Sequence, residues 1–120
     1  MESKYRTQKL KKSADFARIK KVRSALNLTH WLTAFYCANK DLGLRVGWTV
    51  PSYVGPAVIR NRMKRWMRED LSRKGTLSEL NLDVNLVLRK KTGVFYRELE
   101  HEGMDAAIEE LFRKLSRKDA

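Results

Sequence analysis

The sequence predicts an α+β fold: a small, mainly antiparallel sheet with helices packed on it, in the order αββαβα. Three observations carry this. Residues 44–50 and 83–89 alternate apolar and polar side chains with a period of two, as half-buried strands do. Residues 57–70 and 99–115 repeat their apolar side chains at helical spacing. With 120 residues, 42% of them hydrophobic, the chain is one domain able to bury a core without staples.

Residues 1–12 show no periodicity and read as a basic arm, mobile unless bound. Ser13 can cap a helix over 14–23, with Asp15 in the favourable first turn and Phe16 and Ile19 on its apolar edge. Residues 31–39, aromatic and poor in charge, suit a strand buried on most of both faces. A turn cluster at 39–43 leads into the second strand, which places Leu44, Val46, Trp48 and Val50 on one face and Arg45, Gly47 and Thr49 on the other. The two strands are expected to form an antiparallel hairpin that ends at Pro51.

Residues 52–56 connect to the helix at 57–70, and Pro56 suits its start because it needs no amide partner there. Ile59, Met63, Trp66 and Met67 form its apolar stripe. Arg60, Lys64 and Arg68 follow one another at i, i+4 beside it, and Asn61, Arg62 and Arg65 continue round the back. Cations and then Gly75 close this helix. The third strand, at 83–89, is followed by a basic loop at 89–93 and a last helix whose acids come early and whose cations come late, which complements its dipole. With the helices on one side of the sheet, its open face is where aromatic and basic residues could meet a nucleic acid.

The net charge of +12 is confined to two segments. Residues 1–23 hold nine Lys/Arg against two acids, residues 57–74 hold seven against two, and the remainder is balanced. An ordinary solvated helix face mixes signs at i, i+4. This one stacks like charges, at a few tenths of a kcal/mol per pair, and so points to a polyanion.

Several chemistries have no residues to carry them. No Ser-His-Asp or Cys-His arrangement is nameable, and Cys37, inside an apolar strand, reads as an inert core thiol. One cysteine excludes an internal disulfide, and His30 and His101 do not assemble a zinc pattern. Phosphate-cradling glycine loops are missing, and no apolar run is long enough to cross a bilayer. A soluble, cytoplasmic protein with no membrane partner is expected. If the chain takes part in catalysis, something else supplies the chemistry.

Residues 45–50 (Arg-Val-Gly-Trp-Thr-Val) and 55–69, with Arg60-Asn61-Arg62 continued as Lys64-Arg65-x-x-Arg68, resemble the protein subunit of bacterial ribonuclease P. That family carries a strand of the form Arg-(Val/Ile)-Gly-x-(Ser/Thr)-Val, a short loop and a helix with an "RNR" signature. Residues 10–16, 83–90 and 111–114 are similar to its other segments. The resemblance implies a left-handed βαβ crossover. It also implies a catalytic RNA subunit that uses Mg²⁺ to remove the 5′ leader of precursor tRNA, with no cofactor on the protein itself and no obligate protein partner. Arg60, Asn61, Arg62, Lys64, Arg65 and Arg68 would grip RNA. A cleft between the first helix and the sheet would bind the leader through Phe16, Lys20, Ser52, Tyr53, Lys90 and a strand aromatic, either Tyr36 or Phe35. The chain departs from the family at Lys20, where a second aromatic is frequent, at Ser52-Tyr53, where a Lys-Lys pair is frequent, and at Pro56, where Asn is common. A ribosomal or general structured-RNA-binding protein is the alternative. A free-standing nuclease and a DNA-binding helix are weaker ones.

Overall fold

The computed structural model describes residues 8–10, 12–22, 24–40, 42–74 and 80–119. Most of the expected basic arm, residues 1–7 and 11, lies outside them, as does Gly75. The elements are β1 (Gln8–Lys9), α1 (Ser13–Val22), β2 (Ser24–Asn27), β3 (Leu32–Ala38), β4 (Arg45–Thr49), a 3-10 turn (Ser52–Val54), α2 (Ala57–Lys74), β5 (Leu82–Leu88), α3 (Phe95–Glu98) and α4 (His101–Asp119). The six expected elements are present. β1, β2 and α3 are additions, each of four residues or fewer, too short to show a period.

The five strands run in the order β1-β4-β5-β3-β2. β1 with β4 and β4 with β5 are parallel, while β5 with β3 and β3 with β2 are antiparallel. The sheet is therefore mixed, with most of its pairing antiparallel as expected, but the expected β3–β4 hairpin does not form, because β5 lies between the two strands. The loop that would have been the hairpin turn is held wide. Asn39 Nδ2 donates to the Gly43 carbonyl (2.7 Å) and to Asp83 Oδ1 (2.9 Å), and the Gly43 amide donates to Asn81 Oδ1 (3.0 Å). Asn39 and Asn81 thus tie the loop to the start of β5 and open a gap one strand wide. Helix α2 then brings β5 back parallel to β4, which makes β4–α2–β5 a parallel crossover.

Helices also cover both faces of the sheet, not one. On the first face Leu32, Ala34, Val46, Val84, Leu86 and Leu88 pack against Met63, Met67 and Leu71 of α2 and Met104, Ile108, Leu111 and Leu115 of α4, forming the main core. On the second, Ile19 of α1 makes a smaller cluster with Leu10 and Cys37, and Phe16 and Phe35 pack beside it. The period of two sorts the strand residues between these faces. The second receives Phe35 and Cys37 from β3, Gly47 and Thr49 from β4, and Asp83, Asn85 and Val87 from β5. Burial pushes the Cys37 thiol up, in keeping with an inert core position.

Candidate nucleic-acid interface

Helix α2 buries its stripe of Ile59, Met63 and Met67 and turns Asn61, Arg65 and Arg68 to solvent. Trp66, the fourth apolar member, is half-buried and stacks on His101 of α4 with ring centroids 4.9 Å apart and planes at 5°. The two acids that follow these cations, Glu69 and Asp70, do little to neutralise them. Asp70 points inward, fully buried, and accepts from Arg73 (2.6 Å) with His101 Nε2 at 3.0 Å. Glu69 meets Arg65 only at 4.0 Å, with both side chains more than half exposed, a pair worth little in water. Among the described residues no carboxylate pairs with Lys64 or Arg68. Arg60 donates its Nε to the Gly55 carbonyl (3.0 Å).

Arg62 is held differently from the other cations of this helix. Its Nη2 donates to the carbonyls of Tyr96 (3.0 Å) and Arg97 (2.7 Å), its guanidinium lies 5.1 Å from the Trp66 ring centroid, and its Nε is buried. It satisfies carbonyls of α3 instead of facing outward. Arg62→Ala is expected to destabilise the fold by about 2 kcal/mol, the scale of bonds from a charged donor, and to leave the salt dependence of RNA binding nearly unchanged. A urea midpoint that does not move, together with a salt slope lower by about one, would return Arg62 to the RNA-facing set.

The second face of the sheet carries a cleft of about 540 Å³. Phe16, Ala17, Ile19 and Lys20 of α1 form one wall, and Phe35, Thr49, Asn85 and Val87 form the floor. Phe16 reaches its place only because residue 47 is glycine. An added Cβ would lie 2.5 Å from Phe16 Cζ and 3.1 Å from Leu10 Cβ, so any side chain there would lift the ring off β4. Phe16 and Lys20 are thus brought together as expected. Tyr36 is not with them, since its side of β3 belongs to the main core, and Phe35 takes the cleft position by the period of two.

Ser52, Tyr53 and Lys90 do not line the cleft. They gather where β4 and β5 run out, beyond the Thr49–Val87 pair. The Tyr53 hydroxyl donates to the Leu88 carbonyl (2.8 Å), which pins the 3-10 turn to the end of β5, and Lys90 is exposed two residues further on. A cation outside the expected set sits on the same face. Arg89 Nη1 donates to Thr33 Oγ1 (3.0 Å), and its position two residues after Val87 was the signal that could have found it.

Asp83 sets how α1 sits over this cleft. Its buried carboxylate accepts from Arg45 Nε (2.7 Å) and Nη2 (2.6 Å), from Asn39, and from Arg18 of α1. Burial alone would raise the Asp83 carboxyl. The bonds from Arg45, Asn39 and Arg18 outweigh it and hold the group below its ordinary value. Asp15 adds a second acid 3.4 Å from Arg45. Helix α1 is thereby clamped to the sheet through Asp15 and Arg18, which alternate along the helix with the cleft-wall residues Phe16, Ala17, Ile19 and Lys20. Among the described residues no group of three His, Cys, Asp or Glu could hold a metal ion, and no helix is long and apolar enough to cross a membrane.

The family model described as Ribonuclease P matches residues 5–116. The ribonuclease P protein component of Bacillus velezensis is 31% identical over 108 residues, covering 90% of this chain and 89% of that protein. The corresponding component of Bacillus pumilus is 32% identical over 107 residues, covering 88% and 86%. In structure the chain is similar to the RNase P protein of Staphylococcus aureus, with a TM-score of 0.76 and 24% identity over 92% of this chain and 96% of that one. It is also similar to the RNase P protein of Thermotoga maritima, at 0.74 and 25%, with the same coverage.

Proposed function

The chain belongs to the ribonuclease P protein family, and from that premise we propose that it holds the RNA subunit on one side of its sheet and the substrate's 5′ leader on the other. As a member of that family it is part of the ribonucleoprotein that cleaves tRNA precursors, with an RNA subunit as its partner. One observation carries the two-sided reading. The unpaired cations of α2 and the aromatic cleft under α1 sit on helices that cover opposite faces of a single five-stranded sheet.

Arg60, Asn61, Lys64, Arg65 and Arg68 supply the grip on the RNA subunit. Phosphate neutralisation by such a face is independent of sequence, which suits a helix that presents charge with few fixed hydrogen bonds. The precursor tRNA enters through its single-stranded leader, which lies in the cleft with bases against Phe16 and Phe35 and phosphates toward Lys20. Stacking accepts any base and the backbone charge is constant. Arg89, Tyr53 and Lys90 extend this track past the end of β5. In this reading Mg²⁺ belongs to the RNA subunit, and the protein brings no cofactor of its own. A single RNA-binding domain goes with this reading, since both surfaces share one sheet, and a cytoplasmic site of action is part of the proposal.

Reconstitution with the cognate RNA subunit tests the proposal. At low Mg²⁺, cleavage of a precursor tRNA is expected to be faster with the protein than without it, and equal rates would sink the reading. Within the cleft, Phe16→Ala is expected to weaken binding of leader-bearing precursor roughly tenfold, the scale of one lost base stack. Equal weakening toward leaderless tRNA would make Phe16 a packing residue only.

A further inference from the structure

A second aromatic recess lies away from the leader cleft, on the α2 side of the sheet. It is a groove of about 300 Å³ between the β1–β4 edge and the C-terminal half of α2. Val46 and Leu71 form its base, while Lys9, Trp48, Arg68 and Ser72 reach its mouth. Trp48 shares a strand face with Val46 but is only partly covered, so the groove is bounded by an indole that the core has not consumed. The Lys9 ammonium stands 5.2 Å from the ring centroid. Among the described residues neither Lys9 nor Arg68 has a carboxylate partner, and none of the residues lining the groove is acidic.

We propose that this groove takes one unstacked nucleotide of the RNA subunit, its base against Trp48 and its phosphate between Lys9 and Arg68. The proposal rests on the family reading above and deepens it. Three features select this occupant. An aromatic face flanked by cations is the chemistry that binds a single-stranded base with its phosphate. The volume is at the lower end of small-ligand sites, enough for a lone base but not for a duplex. Arg68 also belongs to the exposed arc of α2, so a strand lying on that helix reaches the groove without a break. Lys9 holds the indole face while the groove is empty and turns to the phosphate when the base arrives. Its flexible stem allows this.

The test is binding of the RNA subunit alone, in the absence of precursor tRNA, across a salt series. Trp48→Leu keeps apolar bulk and removes stacking. It is expected to weaken binding about tenfold with an unchanged salt slope, while Trp48→Phe retains most of the affinity. Lys9→Ala and Arg68→Ala are each expected to lower the slope by roughly 0.7–0.9. Should Trp48→Leu fold poorly, a Trp31→Phe, Trp66→Phe protein leaves Trp48 as the sole tryptophan, and its emission is expected to be quenched when RNA is added. If the parent protein fails to bind the RNA subunit, the family reading fails. If the parent binds while Trp48→Leu binds equally and the Trp48 emission is unmoved, the nucleotide site alone is overturned and the groove is left to a protein partner.

Discussion

Replacing Asp83 with alanine is expected to destabilise the protein by about 3 kcal/mol, the lower end of the cost of breaking a buried ion pair. The side chain is fully buried and is engaged by Arg45 through two bonds, by Asn39 and by Arg18. Its removal strands Arg45, whose side chain is 18% exposed and keeps only Asp15 at 3.4 Å. Arg18, at 40% exposure, can turn to water, which keeps the cost at the lower end. The expected reading is a lower urea midpoint with an unchanged m-value. Because Arg18 is how α1 reaches β5, the variant is also expected to lose discrimination between leader-bearing and leaderless tRNA.

The pH dependence has a definite sign. The folded-state pKa of Asp83 lies below its unfolded value, so its contribution is fully present above the ordinary carboxylate range and is lost as pH falls through the folded pKa. Below about pH 4, where the unfolded carboxylate begins to protonate, the parent is expected to lose stability more steeply than Asp83→Ala. Parallel acid limbs, or an unmoved urea midpoint, would mean that the clamp contributes nothing.

The second large effect is on RNA affinity. Changing Lys64, Arg65 and Arg68 together to alanine is expected to reduce the salt slope of binding to the RNA subunit by roughly two to three units. At about 50 mM salt that corresponds to a loss on the order of a hundred- to a thousandfold. The three side chains lie on the outer side of α2, and among the described residues their one acidic contact is the marginal Arg65–Glu69 pair, so the urea midpoint is expected to stay where it is. The contrast with Arg62→Ala is the informative part. One helix carries both cations held by the protein and cations that are free to meet phosphate, and only the second kind should change the slope. A triple variant that keeps the parental slope would remove α2 from the interface.

Most of this was legible along single elements. The stripe of α2, the alternation of β4 and β5 and the charge order of α4 follow from periods of 3.6 and 2, which depend only on neighbours in the chain. The same periods placed Phe16 on the inner edge of α1. They also settle two placements that composition alone does not. Asp70 is seven residues after Met63 and three after Met67, so the helical period places it on the buried side of α2, away from the exposed cations. Phe35 alternates with Cys37 and so shares its face, while Tyr36 must take the other.

What local patterns left undecided were pairings between distant segments. The β3–β4 hairpin is the shortest connection and therefore the natural expectation, yet Asn39 and Asn81, 42 positions apart, hold that loop open for β5. Arg62 looked like one more outward cation until α3, a four-residue helix with no period of its own, brought two carbonyls to it. By itself, the sequence determined the helices, the main strands, the segregation of charge and the family. Only the tertiary structure decided that helices cover both faces, that a clamp at Asp83 positions one of them, and that a cleft and a groove open on opposite sides. Periodicity fixes which way a side chain faces, whereas a cleft needs a second wall, and that wall comes from residues far away in the chain.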